Sequence, residues 1–320
     1  MFRIGLLSFG LLLVLNQYYG FAISVNFQSV FFISGVVIVG LPHGAADLLI
    51  SIKESMEKKQ SFSSIGFFIK YIGLLLAFLL LLIFVPSVGL ILFIIISAFH
   101  FGETDLYQFK TESLRGRLFV ISYGLLIINV ILLNHIGEIK PLLLLLNQDQ
   151  KHLYWLSIID HYKLLILALS ATFFFLATFF FFLSIDYNPQ INGRFLVSLA
   201  LIILTVYNLP MLLGFTFYFV LWHSLLSLRK IFSYLHDDGA FSYNVIFKQI
   251  GLYSLIAFAG TIILGLTGFM FASNNSMIIY LFMSLAVLTA PHMQIMHSMY
   301  KNLRTRVPLQ SLNGKPAHPI

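Results

Sequence analysis

The chain of 320 residues is 59% hydrophobic and only 10% charged, with a formal net charge of +7 and no cysteine. That balance excludes a water-soluble domain, in which about a quarter of residues are charged, and equally excludes a disordered chain. Without cysteine there are no disulfides, thiolate ligands or cysteine nucleophiles, so His, Asp, Glu and Tyr must carry any metal or acid–base chemistry.

Apolar runs long enough to cross a bilayer predict an all-α polytopic membrane helical bundle, about ten helices in one integral membrane domain. In chain order they cover 4–21, 28–50, 66–85, 87–108, 117–135, 161–184, 195–209, 211–228, 249–271 and 277–299. Residues 1–22 look like a signal peptide but lack a small-x-small cleavage site, so the run 4–21 reads as an uncleaved first span. Pro86, Pro210 and Ser273-Asn274-Asn275 separate neighbouring spans. The hydrophilic stretches 51–65, 136–160 and 229–248 read as loops, and the Phe-rich run Phe173–Phe182 as lipid-facing helix. With the N-terminus inside, only Lys140, Lys151 and Lys163 of the 19 basic residues fall on the outer side. The net charge therefore reflects membrane orientation with both termini cytoplasmic, not nucleic-acid binding.

Four histidines lie inside these apolar segments: His43 in LPHGAAD, His100 in SAFHFGETD, His223 in FVLWHSLLSL and His292 in LTAPHM. An imidazole in hydrocarbon is costly unless something holds it, which makes each a functional candidate. All four spans run from outside to inside. The histidines precede Lys53, Lys110, Arg229 and Lys301 by ten, ten, six and nine residues, or roughly 9–15 Å of helical rise. One shared layer, and one metal centre, is the expectation; taken singly, each histidine reads as a structural hydrogen bond between helices.

Asp47 and Glu103 follow His43 and His100 by four and three residues, on the same helix faces. Each is expected to accept the second N–H of its neighbouring imidazole, with direct ligation as the alternative. Asp105, off that face, is expected nearer the interface. Pro42 and Pro291 should kink their helices and free the Ile38 and Val287 carbonyls as acceptors. Gly44 and Gly102 should permit close helix contact. His135, His152, His161, His236 and His318 are expected to be solvated at loops or span ends. His297, about 140° around the helix from His292, is left outside the site.

Together these motifs resemble the Brp/Blh family of bacterial and archaeal membrane β-carotene 15,15′-dioxygenases. LPHGAAD is similar to that family's PHGA-x-D element, SAFHFGETD to its HFG element and LTAPHM to its PHM element. The resemblance runs from the second span onward, and the helix at 4–21 looks like an addition. It implies oxidative cleavage of the central 15,15′ double bond of β-carotene by dioxygen to two all-trans-retinal molecules, at a non-haem Fe(II) centre in the bacterial inner membrane. His43, His100 and His223 match the family's iron histidines. Where the family reads H-S-x-x-H, this chain has Ser227, so either three histidines suffice or His292 closes the set; His292 is the preferred fourth ligand. No catalytic residue beyond the ligands is expected. The implied partners are β-carotene, dioxygen and the lipid bilayer, with retinal passed to a retinal-binding rhodopsin. The alternatives are an inactive homologue, a carotenoid or retinal carrier, and a bis-histidine haem electron carrier.

Overall fold

The computed structural model describes residues 1–20, 22–140, 150–183, 194–272 and 277–306. Its helices, in chain order, are α1 (Phe2–Tyr19), α2 (Val25–Glu57), α3 (Ser64–Phe84), α4 (Pro86–Asp105), α5 (Leu114–Asn134), α6 (Gln150–His161), α7 (Lys163–Phe182), α8 (Arg194–Asn208), α9 (Met211–His236), α10 (Tyr243–Ala272) and α11 (Met277–Arg306). Among the described residues there is no strand. The chain is an all-α polytopic membrane bundle. Seven of its described helices are long and apolar enough to cross a membrane, while α8 has 15 residues.

Each expected apolar run corresponds to a helix, and the punctuation acts through local chemistry. Ser63 and Ser113 accept from the amides of Gly66 and Gly116 at 3.2 and 3.1 Å, capping α3 and α5. Pro86 opens α4 at a position where no intrahelical N–H is needed. The stretch 136–160 is not a plain loop, because it includes α6. The turn Ser273-Asn274-Asn275, together with Lys315 and His318, lies outside the described residues.

The bundle has a buried middle and an exposed perimeter. In α9, 78% of the apolar stretch is buried, against 6% in α3 and 17% in α10. α4 and α5 cross with their backbones in contact. A Cβ on Gly102 would lie 2.0 Å from the Val120 carbonyl oxygen, and one on Gly124 would lie 1.9 Å from that of Ala98. Only glycine fits at both points, which fixes the register of the helix that carries His100. Gly44 plays no such part, because a Cβ there would meet only the His292 ring at 4.0 Å.

Two helices widen into π-helix next to a histidine. In α2 the π segment is Val36–Gly40, followed by a short turn of helix Leu41–Gly44 and then, past Ala45 and Ala46, by Asp47–Glu57. In α9 the segment Phe217–Ser224 contains His223 itself, and the Ser224 hydroxyl donates to the Phe219 carbonyl at 2.8 Å. Such interruptions are frequent at functional sites because they re-aim side chains from an otherwise regular rod.

Candidate metal centre

α2, α4, α9 and α11 bring His43, His100, His223 and His292 together, each no more than 6% exposed. The rings form a closed square. Their centroids are 4.8 Å apart for His43–His292, 5.0 Å for His292–His100, 4.8 Å for His100–His223 and 5.5 Å for His223–His43. Neighbouring planes stand at 76–90° to one another. His43, His100 and His223 can each offer a nitrogen within 4.8 Å of the other two. His292 belongs to the square of rings but not to that tighter group of three.

The hydrogen bonds show what the square lacks. His43 Nδ1 is bonded to the Gly40 carbonyl and His292 Nδ1 to Asp47 Oδ1 at 2.8 Å. His100 Nε2 and His223 Nε2 face each other at 3.2 Å. The buried atoms His100 Nδ1, His223 Nδ1 and His292 Nε2 have no hydrogen-bond partner. Buried polar atoms are almost always paired, and an unpaired one costs about 1–3 kcal/mol. Two imidazole nitrogens bound to one divalent ion at about 2.1 Å would be roughly 3.0–3.4 Å apart, which matches the His100–His223 separation. The donor set, neutral nitrogen without sulfur, suits iron as it does zinc, copper and nickel. The residues therefore fit a metal ion.

A cavity of about 50 Å³ adjoins the square. Its walls include all four histidines together with Phe101, Phe219, Tyr71, Ala257, Leu285, Leu288 and Thr289. Phe101 packs on the His223 ring at 4.6 Å, and Phe219 lies parallel to that ring while meeting His43 edge-on at 6.0 Å. Apart from the histidines and the Tyr71 and Thr289 hydroxyls, the lining side chains are hydrocarbon.

The carboxylates pair differently from expectation. Asp47 does not hold His43. It accepts from His292 and, through Oδ2, from the Tyr71 hydroxyl at 3.0 Å, because the turn at Ala45 and Ala46 separates its helix from that of His43. Glu103 does not hold His100 either. It binds His297 Nδ1 at 2.8 Å and Arg304 at 3.0 Å, and Arg304 also reaches Glu112 at 2.6 Å. A guanidinium is a stronger partner for a carboxylate than a neutral ring is. The expected proline-freed acceptors are replaced too: His43 uses Gly40 rather than Ile38, and His292 uses Asp47 rather than the Val287 carbonyl.

Two further placements, those of Asp105 and His135, differ from the expectation. Asp105 is buried, accepting from Trp222 Nε1 at 3.0 and 3.1 Å and from the Tyr123 hydroxyl at 3.1 Å. His135, expected in solvent, has a side chain only 10% exposed and contacts Glu138, Asn134 and the Val206 carbonyl. His297 stands outside the square, in line with expectation, and is a partner of Glu103. His161 and His236 are exposed as expected. Ser227, in the place of the family's second histidine, is fully buried with its hydroxyl 3.3 Å from that of Tyr300. Tyr71 escaped the sequence reading altogether, since a tyrosine in an apolar span gives no local signal.

A family model described as beta-carotene 15,15′-dioxygenase matches residues 34–300. A protein named beta-carotene 15,15′-dioxygenase from uncultured marine bacterium 66A03 is 25% identical over 282 residues, covering 86% of this chain and 95% of that relative. No solved structure matches. The matched stretch contains all four histidines of the square and leaves α1 outside.

Proposed function

The chain belongs to the beta-carotene 15,15′-dioxygenase family, and on that premise we propose that it cleaves the central double bond of β-carotene with dioxygen to give two all-trans-retinal molecules. The metal is Fe(II), held by His43, His100, His223 and His292. The single observation that supports this is the buried imidazole square, in which the Nε2 atoms of His100 and His223 face each other at 3.2 Å and His292 Nε2 has no partner, beside a cavity lined by all four rings. Bound there, iron would supply the redox chemistry that joins dioxygen to an alkene, the two oxygen atoms ending one on each aldehyde.

The chain's own residues prepare that chemistry. The Gly40 carbonyl and Asp47 fix the tautomers and ring planes of His43 and His292, leaving the opposite nitrogen of each free to bind. Asp47 supports His292 most directly, so His292 completes the set that Ser227 does not. Phe101 and Phe219 pack over the rings and exclude water, and the cavity's aromatic and aliphatic walls orient a polyene so that one bond lies against the histidines. Glu103, bound to His297 and Arg304, supports the centre from α4 through the helix rather than through His100. In this reading the enzyme sits in the bacterial inner membrane with both termini cytoplasmic, and releases retinal into the lipid for a retinal-binding rhodopsin.

Expression in a β-carotene-accumulating host tests this. The wild-type chain should bleach the cells, yield retinal and purify with iron. His100→Ala, inserted to the same level, should do none of these. Retinal from well-inserted His100→Ala protein would refute the assignment.

A further inference from the structure

The cavity walls differ in what lies behind them. The histidines, Phe101 and Phe219 are buried, whereas Tyr71, Ala257, Leu288 and Thr289 are half-buried. Those four come from α3, α10 and α11, and α3 and α10 are the helices whose apolar stretches are least covered by protein. The half-buried part of the cavity wall thus belongs to helices of the hydrocarbon perimeter. Both hydroxyls in that part are engaged elsewhere: Thr289 donates to the Leu285 carbonyl at 2.7 Å and Tyr71 to Asp47. What they leave toward the cavity is methyl, ring and aliphatic surface. Ala257 has the smallest side chain of the four.

We propose that the gap bounded by Tyr71, Ala257, Leu288 and Thr289 is an apolar subsite and lateral portal for the polyene, entered from the bilayer, with Ala257 setting its width. This rests on the carotenoid-cleavage reading above. A long hydrocarbon substrate dissolved in lipid meets this perimeter before any aqueous surface, and reaching the histidines from here exposes none of its length to water. Ala257 is a specificity-determining residue for substrate, with a side chain that carries no donor or acceptor for a metal.

The test uses the full chain in nanodiscs. Binding of β-carotene is followed by its absorption band after chelation, and the KM for cleavage after reloading with Fe(II). A graded series, Ala257→Val, Ala257→Leu and Ala257→Trp, should weaken polyene binding progressively, reaching at least tenfold for the largest side chain. KM should rise in parallel, and iron content should not change. Leu255→Trp, which places the same indole side chain on the exposed side of α10 where Leu255 is 67% exposed, should bind as wild type. Wild-type binding across the Ala257 series, or equal loss from Leu255→Trp, would overturn the portal. Wild-type protein that binds no β-carotene would overturn it as well. Binding that falls along the series while no retinal forms would support the portal and refute the cleavage reading instead.

Discussion

Two buried polar layers lie within about two turns of each other on α4 and α9, and they are built on opposite terms. Around Asp105, donors and acceptors meet: Trp222 and Tyr123 both donate to its carboxylate, and Lys230 donates to the Thr104 carbonyl beside it. In the imidazole square, reached through His100 five residues earlier and His223 next to Trp222, three ring nitrogens have no partner. In a low-dielectric interior the first arrangement ties helices together with little left to gain. The second leaves buried ring nitrogens unpaired, at a cost in free energy. The contrast marks the square, rather than the layer around Asp105, as the candidate binding site.

The contrast is broken most severely by removing a corner of the square. With a metal at a hundred times its dissociation constant, the wild-type protein should gain about 2.7 kcal/mol of stability. His223→Ala should gain nothing measurable. Thermal unfolding in detergent, with chelator and with Fe(II) or Co(II), reads this directly. An equal metal-induced shift in the variant would mean that the square is not the binding site.

Next in size is the support beneath His292. Asp47→Asn keeps an acceptor of similar shape but removes the charge that favours a basic, correctly oriented imidazole. Metal affinity should fall roughly ten- to a hundredfold, the usual effect of losing a carboxylate partner to a ligating histidine. Titration of the metal-free protein with Co(II) would show it. An unchanged affinity would place His292 outside the ligand set and leave His43, His100 and His223 to bind alone.

The same contrast explains what could be read from the sequence. Runs of Leu, Ile and Phe specify spanning helices because backbone groups in lipid must pair within the segment. The matched intervals from each histidine to its basic residue carried real depth information, and the four rings meet. Partnerships across helices were not legible. Asp47 and His292 are 245 positions apart, Glu103 and His297 194. Spacing rules along one helix favoured the near histidine in both cases. They failed at Asp47 because the chain turns between it and His43, and at Glu103 because Arg304 competes from α11. The rotation that removed His297 from the square is the one that carries it to Glu103. The π segments left no residue pattern to find, although a Pro42 that cannot donate an N–H gave a hint of irregularity nearby.

The smallest expected effect on metal binding comes from the partnered layer. Asp105→Asn retains a carbonyl oxygen for Trp222 Nε1 and replaces charge-assisted hydrogen bonds with neutral ones. Bonds to charged groups contribute about 1.5–3 kcal/mol and neutral ones about 1, so stability should drop by about 1–2 kcal/mol. Measured couplings between membrane helices average nearer 0.6 kcal/mol, which places the expectation toward the lower end. Co(II) affinity should stay within about threefold of wild type, since a drop below 0.65 kcal/mol is what such a ratio represents. The comparison is sharp because Trp222 is covalently next to His223. If Asp105 only ties α4, α5 and α9 together, unfolding temperature falls and affinity holds. A tenfold loss of affinity with unfolding unchanged would show instead that the Trp222 anchor aims the His223 ring, and that the two layers are one device.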